Sequence, residues 1–345
     1  MPVAFATNPR SAAHTMPGHP ESAARLDAVV QQLRQDGLWK RLEHVSAEVA
    51  PDEALAAVHT AEHLARLART AHLDALAMWG ADTYVTAASY QAARLAAGAT
   101  MRVVDAVLGG QAISGIAAVR PPGHHATSDD AMGFCLLNNV AIAARHALRA
   151  HGLARVLIVD YDVHHGNGTQ EIFYDDASVL YLSTHQSPLY PGTGAVEEIG
   201  RGAGRGYTVN IPMPSGVGDR GYRRAFDEVV VPLARRFAPQ LILVSLGFDA
   251  HWSDPLANMR LSLSGYADLA HVLIALAEEL CGGRIVFVME GGYNGQVLAH
   301  GWANVARALL NENFAVDPLG YQPASEPAIG AVLAKIQRIH KLTSY

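Results

Sequence analysis

The sequence predicts a single-domain α/β fold with a mostly parallel central sheet flanked by helices. Short apolar runs rich in β-branched residues alternate with longer amphipathic segments, which is the pattern of repeated βαβ units. Several of these runs end in glycines and polar residues, as strands do when their carboxyl ends carry a site. No linker, repeat or low-complexity segment divides the 345 residues, of which 50% are hydrophobic, so we expect one domain with a large core.

Composition and charge argue against several functional classes. The formal net charge is -6 and Lys and Arg form no blocks, so a nucleic-acid-binding surface is not expected. Two cysteines, Cys135 and Cys281, make no disulfide framework, and the first ten residues do not resemble a signal peptide, so a cytoplasmic protein is predicted. No apolar run approaches the roughly 20 residues of a membrane helix. The oligomeric state is left open, with a homo-oligomer among the options.

Helices are predicted where apolar residues recur at helical spacing, after an irregular stretch over residues 1–20. Asp52 is predicted to cap the helix that opens at Pro51. The other predicted helices cover residues 21–42, 87–108, 136–151, 219–237, 265–280 and 296–310. A tail rich in Pro and Ala follows Pro318 and ends in a short helix-like segment. Several histidines on the helices are interpreted as ordinary surface or packing residues: His59, His63, His72, His146 and His271.

Strands are predicted for six short apolar runs between these helices. They cover residues 116–119, 156–159, 179–183, 207–211, 241–245 and 285–289. Pro212 is expected to end the fourth of them, because proline has no N–H for a sheet ladder. Continuous apolar character in such runs is typical of strands that are buried on both faces of a parallel sheet.

Residues 156–168 contain the densest group of polar, potentially reactive side chains, and it follows directly on a predicted buried strand. Alternate side chains of a strand share a face, so Asp160, Asp162 and His164 could point the same way. Carboxylates and an imidazole at this spacing indicate a site for a divalent metal. A solvated loop after a strand is the alternative interpretation.

Four predicted strands end in glycine-flanked polar groups: His124 with His125, residues 160–167, Asp249, and Tyr293. In a parallel sheet all four ends lie on one edge, which predicts a metallohydrolase. Asp162, His164 and Asp249 are the candidate ligands, because catalytic zinc takes three protein ligands and keeps one position for a water whose pKa falls to about 7. A serine nucleophile is not indicated, since the chain has no Gly-x-Ser-x-Gly motif.

The other polar residues at these strand ends suggest acid–base and oxyanion roles. His124 and His125 are candidates for the general base and the general acid. Each needs an acceptor on its remote nitrogen to select a tautomer, and Asp160 and Asn167 are available for that. Tyr293 can donate a hydrogen bond to a developing oxyanion.

These motifs together resemble the histone deacetylase superfamily, and the similarity extends over residues 14–310. The nearest pattern is that of class II enzymes and their bacterial relatives, the histone deacetylase-like amidohydrolases. The motifs are RPPGHH at 120–125, GFC at 133–135, DYDVHHGNGTQ at 160–170, GFD at 247–249 and EGGY at 290–293.

The resemblance implies an arginase/deacetylase fold and a zinc-dependent amide hydrolase that releases acetate from an acylated amine. It assigns one Zn²⁺ per chain to Asp162, His164 and Asp249. It also implies bound K⁺ at two sites, where backbone carbonyls supply some of the ligands. The inner site would use Asp160, Asp162, His164, Ser183 and Thr184, and the second Phe173, Asp176, Val179 and Tyr207.

The resemblance also refines the catalytic roles. His125 would act as general base and also general acid, with His124 tuning the site electrostatically and Asp160 orienting it. Asn167 stands behind His125 where class I members have Asp, which should leave His125 less basic. Tyr293 matches the tyrosine that stabilises the transition state, whereas the weakly active class IIa enzymes have His, so real deacetylase activity is expected.

The nature of the amine is the main ambiguity. Gly133, Phe134, Tyr190 and Gly292 match the walls of an acyl-lysine tunnel, although Tyr190 replaces the usual Phe. A polyamine-selective eukaryotic member carries Glu seven residues after the last zinc ligand, where this chain has Leu256. Leu256 favours acetyl-lysine in a peptide or protein as the substrate, since a carboxylate at this position would bind the second ammonium group of a polyamine. A hydrolase of acetylpolyamines or other small acylamines is the alternative.

Two more distant alternatives use the same residues differently. A non-catalytic acyl-lysine reader would not need the complete set of ligands together with Tyr293. An arginase-like ureohydrolase with two metal ions would need further Asp ligands beside His164, and residues 165–167 do not supply them. The sequence does not distinguish zinc from iron as the native metal, or reveal the preferred acyl length.

Overall fold

An eight-stranded sheet forms the centre of the computed structural model, which describes residues 2–342. The strands in chain order are β1 (Val3–Thr7), β2 (Glu43–His44), β3 (Ala77–Trp79), β4 (Thr83–Val85), β5 (Ser114–Ala118), β6 (Val156–Asp160), β7 (Val179–Gln186), β8 (Thr208–Met213), β9 (Leu241–Leu246) and β10 (Ile285–Met289). The sheet order is β2-β1-β5-β10-β9-β6-β7-β8, and every neighbouring pair is parallel. β3 and β4 form a separate antiparallel hairpin.

Helices cover both faces of this sheet. They are α1 (Ala23–Gln35), α2 (Asp52–Ala56), α3 (Ala61–Arg69), α4 (Ser89–Leu108), α5 (Asn139–Ala150), α6 (Asn167–Phe173), α7 (Asp219–Ala225), α8 (Val231–Phe237), α9 (Leu263–Cys281), α10 (Gly295–Leu309) and α11 (Gly330–Ile339). Within residues 2–342 none of them combines the length and the hydropathy that a membrane crossing requires.

Alternation of side chains along the strands divides the interior into two apolar cores. In β6, Leu157 and Val159 face the core that includes α1, α9 and α10. Val156 and Ile158 face the other core, which includes α4 and α5. Both faces of the strand are therefore buried, which explains its continuous apolar sequence. The predicted single-domain α/β fold with a mostly parallel sheet is confirmed.

The prediction of an irregular N-terminus was wrong for its first residues. β1 is a parallel strand, paired with β2 on one side and with β5 on the other. Its sequence Val-Ala-Phe-Ala-Thr is short, three of its five residues are alanine or threonine, and Pro, Gly and His are frequent in the residues after it. Pairing on both sides stabilises a strand that the local sequence signals only weakly.

The predicted end of the fourth strand at Pro212 was also wrong. β8 continues through Pro212, which pairs with His185 of β7. Since β8 is the last strand of the sheet order, its outer side has no partner strand. A residue without an N–H is tolerated on such an edge.

Two helix predictions need correction. Pro51 occupies the cap position of α2, and Asp52 is its first helical residue, with Oδ1 accepting a hydrogen bond from Arg94 at 2.6 Å. The predicted helix over 219–237 is interrupted by a π-helical turn, Phe226–Val230, between α7 and α8. Pro232 follows this turn and has no N–H to donate to an earlier carbonyl, which accounts for the irregular hydrogen bonding.

Candidate metal centre and active site

Four adjacent strands of the sheet, β5, β10, β9 and β6, lead into the candidate site. The polar segments that follow them contain the paired histidines, Tyr293, Asp249 and Asp162. These strands are parallel, so their carboxyl ends meet on one edge of the sheet. The structure therefore brings together segments that are up to 169 residues apart in the chain, counted from His124 to Tyr293.

Asp162, His164 and Asp249 place their ligand atoms around one point. Nδ1 of His164 lies 3.1 Å from Oδ1 of Asp162 and 3.2 Å from Oδ2 of Asp249. A tetrahedral zinc ion with bonds of about 2.0–2.1 Å would hold its ligands about 3.3 Å apart. Both separations from the imidazole nitrogen therefore fit a zinc ion, and all three donor atoms lie within 4.8 Å of one another.

Backbone amides hold both carboxylates in place. Gly291 N–H donates to Oδ2 of Asp162 at 2.8 Å, and Val163 N–H donates to Oδ1 of Asp249 at 3.0 Å. A Cβ at Gly291 would come within 2.1 Å of the Asp249 carboxylate, and one at Gly247 within 1.9 Å of that of Asp162. The two glycines thus let the backbone approach the carboxylates closely.

The charges of this group also fit a bound cation. Both carboxylates are fully buried, and Oδ2 of Asp249 has no hydrogen-bond partner. Burial and the neighbouring charge of Asp162 raise the pKa of Asp249. A buried acceptor without a partner and two carboxylates in contact with one imidazole are costly unless a metal ion compensates them.

The paired histidines differ in their partners and in their acidity. Nδ1 of His124 lies 3.1 Å from Oδ2 of Asp160, and Nδ1 of His125 lies 2.8 Å from Oδ1 of Asn167. Burial opposes the charged form of His124, but the carboxylates of Asp160 and Asp162 raise its pKa to about 10. Burial and the neighbouring His124 charge lower the pKa of His125 well below its ordinary value. The surroundings therefore favour the charged form of His124 and the neutral form of His125.

Glu290 connects the segments that carry these groups. Its Oε2 accepts hydrogen bonds from the N–H groups of Gly123 at 2.7 Å and His124 at 3.2 Å, and its Oε1 accepts one from Ser245 at 3.0 Å. The side chain thus ties the ends of three strands together. It belongs to the EGGY motif, but no role was predicted for it from the sequence.

Asp254 and Arg25 position Tyr293, and neither role was predicted. Oδ2 of Asp254 accepts a hydrogen bond from the N–H of Tyr293 at 2.7 Å. The Arg25 guanidinium lies 5.0 Å from the centre of the Tyr293 ring and donates through Nε to the Gly292 carbonyl at 2.8 Å. Burial raises the pKa of Tyr293 well above its ordinary value, so its phenol remains a hydrogen-bond donor. In the sequence, Asp254 begins the segment Asp-Pro-Leu, and Arg25 follows the pair Pro-Glu by four residues. These neighbouring residues were the only local features that could have indicated a role for Asp254 or Arg25.

Aromatic rings border the approach to the paired histidines. Tyr190 packs edge-on against His125 with ring centres 5.2 Å apart, and Phe134 packs edge-on against Tyr293 at 5.8 Å. Tyr190 and Leu256 are among the exposed large hydrophobic residues, at 38% and 36% exposure. The predicted tunnel residues therefore lie beside the candidate catalytic residues, with an apolar side chain at the position that distinguishes the polyamine-selective pattern.

Gly133 is expected to tolerate no side chain. Its φ is +55°, and a Cβ would lie 2.3 Å from the His125 ring. We expect Gly133→Ala to displace this imidazole and lower kcat by about tenfold to a hundredfold, because small misplacements of a catalytic group are costly. Steady-state kinetics with a melting curve would test this, and the matched control is Gly18→Ala, whose φ of +79° is similar but whose Cβ meets no atom within 4 Å. Equal losses in the two variants would contradict the steric argument.

The residues expected at the inner monovalent-cation site lie beside the centre, whereas those of the second site include Val179 and Tyr207 at the amino ends of β7 and β8. Asp160 is paired with Ser183 across β6 and β7, and the Ser183 hydroxyl lies 2.9 Å from Nδ1 of His185. The buried Thr184 hydroxyl has no partner. Around the expected second site, the carboxylate of Asp176 is already used by Ser178 and Arg145.

Comparisons with known proteins agree with this geometry. The histone deacetylase domain model matches residues 19–309. Histone deacetylase 14, chloroplastic, of Arabidopsis thaliana is 44% identical over 318 residues, which are 87% of this chain and 75% of that protein. The polyamine deacetylase HDAC10 of Homo sapiens is 42% identical over 304 residues, 85% of this chain but only 45% of that protein.

A solved structure extends the similarity to the fold. The crystal structure of the HDA15 HD domain superposes with a TM-score of 0.89 at 37% identity and covers 98% of this chain and 94% of that one. A family model that covers most of the chain, relatives that are 42–44% identical and a matching fold lead to one conclusion. The chain belongs to the histone deacetylase family.

Proposed function

We propose that this protein is a zinc-dependent hydrolase that removes acetyl groups from lysine side chains in peptides or proteins. The single observation that carries the proposal is the buried cluster of Asp162, His164 and Asp249, whose donor atoms have the spacing of zinc ligands. His125 adjoins it, with its ring centre 5.8 Å from that of His164. Zinc bound there would act as a Lewis acid on the amide carbonyl and on the attacking water.

His125 is suited to move the proton. Asn167 Oδ1 can accept a hydrogen bond only from an Nδ1–H, which leaves the Nε2 lone pair of His125 free as a base. It would take a proton from water as the water oxygen bonds to the amide carbon. It would then return that proton to the lysine nitrogen as the C–N bond breaks, which yields acetate and the free amine.

Its neighbours stabilise charge during this step. The carboxylate of Asp160 raises the pKa of His124, so His124 would supply positive charge and would not compete as the base. The Tyr293 hydroxyl can donate a hydrogen bond to the oxygen that becomes negative when the carbonyl is attacked. Asn167 is neutral and stabilises an imidazolium less than a carboxylate would, which keeps His125 weakly basic.

The entrance favours acyl-lysine over polyamine. Phe134 and Tyr190 offer aromatic faces on which a four-carbon stem can pack. Leu256 is apolar and gives no partner to a second ammonium. The similarity to polyamine deacetylase supports the alternative substrate class, acetylated polyamines.

A panel of acylated amines tests the substrate class. We expect kcat/KM for an acetyl-lysine peptide to exceed that for acetylputrescine and acetylspermidine, with zinc content measured on the same preparation. Leu256→Glu should shift the ratio toward the polyamines by about tenfold, because a charge-assisted contact contributes about 1–3 kcal/mol. The control is Leu256→Gln, which has a similar shape without the charge. A preference for polyamines above about tenfold in the unaltered protein would overturn the lysine proposal.

The proposal also includes K⁺ beside the catalytic ion, at the positions that family resemblance suggests. Asp160, the last residue of β6, pairs with Ser183 of β7, and Thr184, whose buried hydroxyl has no partner, follows Ser183 in the chain. Oxygen donors of this kind suit a hard cation.

A further inference from the structure

A second group of metal-ligating side chains lies outside the candidate active site. It consists of Asp105 on α4, His146 on α5 and His151, the residue that caps the carboxyl end of α5. Nε2 of His146 is 2.6 Å from Oδ1 of Asp105, and Nε2 of His151 is 2.8 Å from the same oxygen. All three side chains are partly buried, with 17%, 26% and 28% exposure for His146, His151 and Asp105.

The carboxylate of Asp105 is arranged to offer one oxygen to this group. Its other oxygen, Oδ2, faces the Arg102 guanidinium at 3.5 Å, and Arg102 Nε lies 3.7 Å from the Glu48 carboxylate. Ligating carboxylates are commonly held in this way by an outer partner on the second oxygen. Two imidazole nitrogens and one carboxylate oxygen therefore converge, all within 4.8 Å of one another.

Chain geometry at the end of α5 brings the two histidines together. Residues five apart on a continuous helix would differ by about 140° around its axis. α5 ends at Ala150, His151 lies just beyond the helix, and Gly152 turns the chain with a φ of +66°. His151 itself departs from helical geometry, with φ −102° and ψ 0°, and its Nε2 reaches the Asp105 oxygen that His146 also contacts. The rings meet edge to face at 85° with their centres 5.4 Å apart, so both nitrogens reach one point without stacking.

We propose that Asp105, His146 and His151 form a second metal site that binds one divalent first-row transition-metal ion of the zinc class. Imidazole and carboxylate donors suit such ions, and the three protein ligands would be completed by water. This assignment does not depend on the catalytic proposal, because the two groups share no residue.

The position of the site indicates a structural role. Asp105 lies near the end of α4, ahead of β5, and His151 lies five residues ahead of β6. Both precede the amino ends of parallel strands, whereas the candidate active site follows their carboxyl ends. A five-residue strand spans about 16 Å, so the two sites lie on opposite edges of the sheet. An ion here would fasten α5 to α4 and would not touch the substrate.

Zinc content and thermal stability test the proposal directly. Tag-free full-length chain would be stripped with a chelator, reloaded with Zn²⁺ and freed of excess metal. We expect two zinc ions per chain in the unaltered protein and one in the His146→Asn/His151→Asn double variant. The double variant should keep its deacetylase activity within about twofold. Asp249→Asn should also hold one zinc, but it should lose the catalytic one.

A second measurement isolates the new site. In the Asp249→Asn background, Zn²⁺ should raise the Tm of the stripped chain by a few degrees, since a ligand that binds only the folded state stabilises it. Adding the two histidine substitutions should remove this shift and weaken zinc binding by more than about a hundredfold. His72→Asn, an exposed histidine outside both clusters, should change neither value. Equal zinc content and equal Tm shifts with and without His146 and His151 would show that the imidazoles only hydrogen-bond to Asp105.

Discussion

The Asp249→Asn variant is expected to lose its catalytic zinc and nearly all hydrolysis of acetyl-lysine peptides. The amide can still accept the Val163 N–H bond through Oδ1, so the local backbone should persist. Its NH₂ group would replace Oδ2, the buried oxygen that lies 3.2 Å from Nδ1 of His164, and an amide nitrogen is no zinc ligand. Loss of an ion that contributes several kcal/mol to the transition state lowers kcat by at least about a thousandfold.

Elemental analysis and single-turnover kinetics on one preparation check this result. Zinc content should fall by one ion per chain, and excess Zn²⁺ should not restore the rate. Asp268→Asn is the matched control, because Asp268 is an exposed carboxylate on α9. Retained zinc together with normal turnover in Asp249→Asn would remove Asp249 from the metal centre.

Tyr293→Phe is expected to lower kcat by about a hundredfold to a thousandfold while zinc content stays unchanged. The phenol would stabilise charge that develops only as the carbonyl is attacked, so KM should change little. The ring should keep its place, since Arg25 lies over its face and Asp254 binds its backbone N–H. Removing only the hydroxyl therefore isolates the hydrogen bond.

The control for this variant is Tyr321→Phe, at a tyrosine that is 73% exposed. It should leave kcat, KM and zinc content unaltered. If Tyr293→Phe hydrolyses the acetyl-lysine peptide as fast as the unaltered protein, the oxyanion role of Tyr293 is wrong. A large change in KM with constant kcat would instead indicate a binding role.

Strand ends were the most informative part of the sequence. A buried apolar run that stops at glycines and carboxylates signals both a parallel strand and its functional end, because polar groups are tolerated only where the strand leaves the core. Asp162 and His164 could be placed in this way. His165, which follows His164 directly, contacts Thr193 and Gln170 at 2.7 and 3.0 Å instead of joining the metal cluster.

The sequence indicated the structure less clearly where a segment is stabilised by residues that are distant in the chain. The five residues of β1 form a strand because β2 and β5 pair with them. Both partner strands are remote in the sequence, so the residues around β1 do not reveal them. Pro212 continues a strand because it lies on an edge, which is a property of the sheet order. His146 was interpreted as an ordinary surface or packing residue and His151 was given no role, since their common partner is Asp105, more than forty positions earlier.

The sequence by itself determined the fold class, the edge of the sheet that carries polar groups and the chemical kinds of those groups. These three properties depend on the periodicity of hydrophobic residues and on side-chain chemistry, and both can be read from each segment of the sequence separately. Tertiary structure alone decided which donor atoms meet, that Glu290, Asp254 and Arg25 hold the site in shape, and that α4 and α5 bring a second ligand set together. The physical reason is that ligation and hydrogen bonding need separations near 3 Å, and only the packing of the helices on the sheet sets distances between remote segments at that scale.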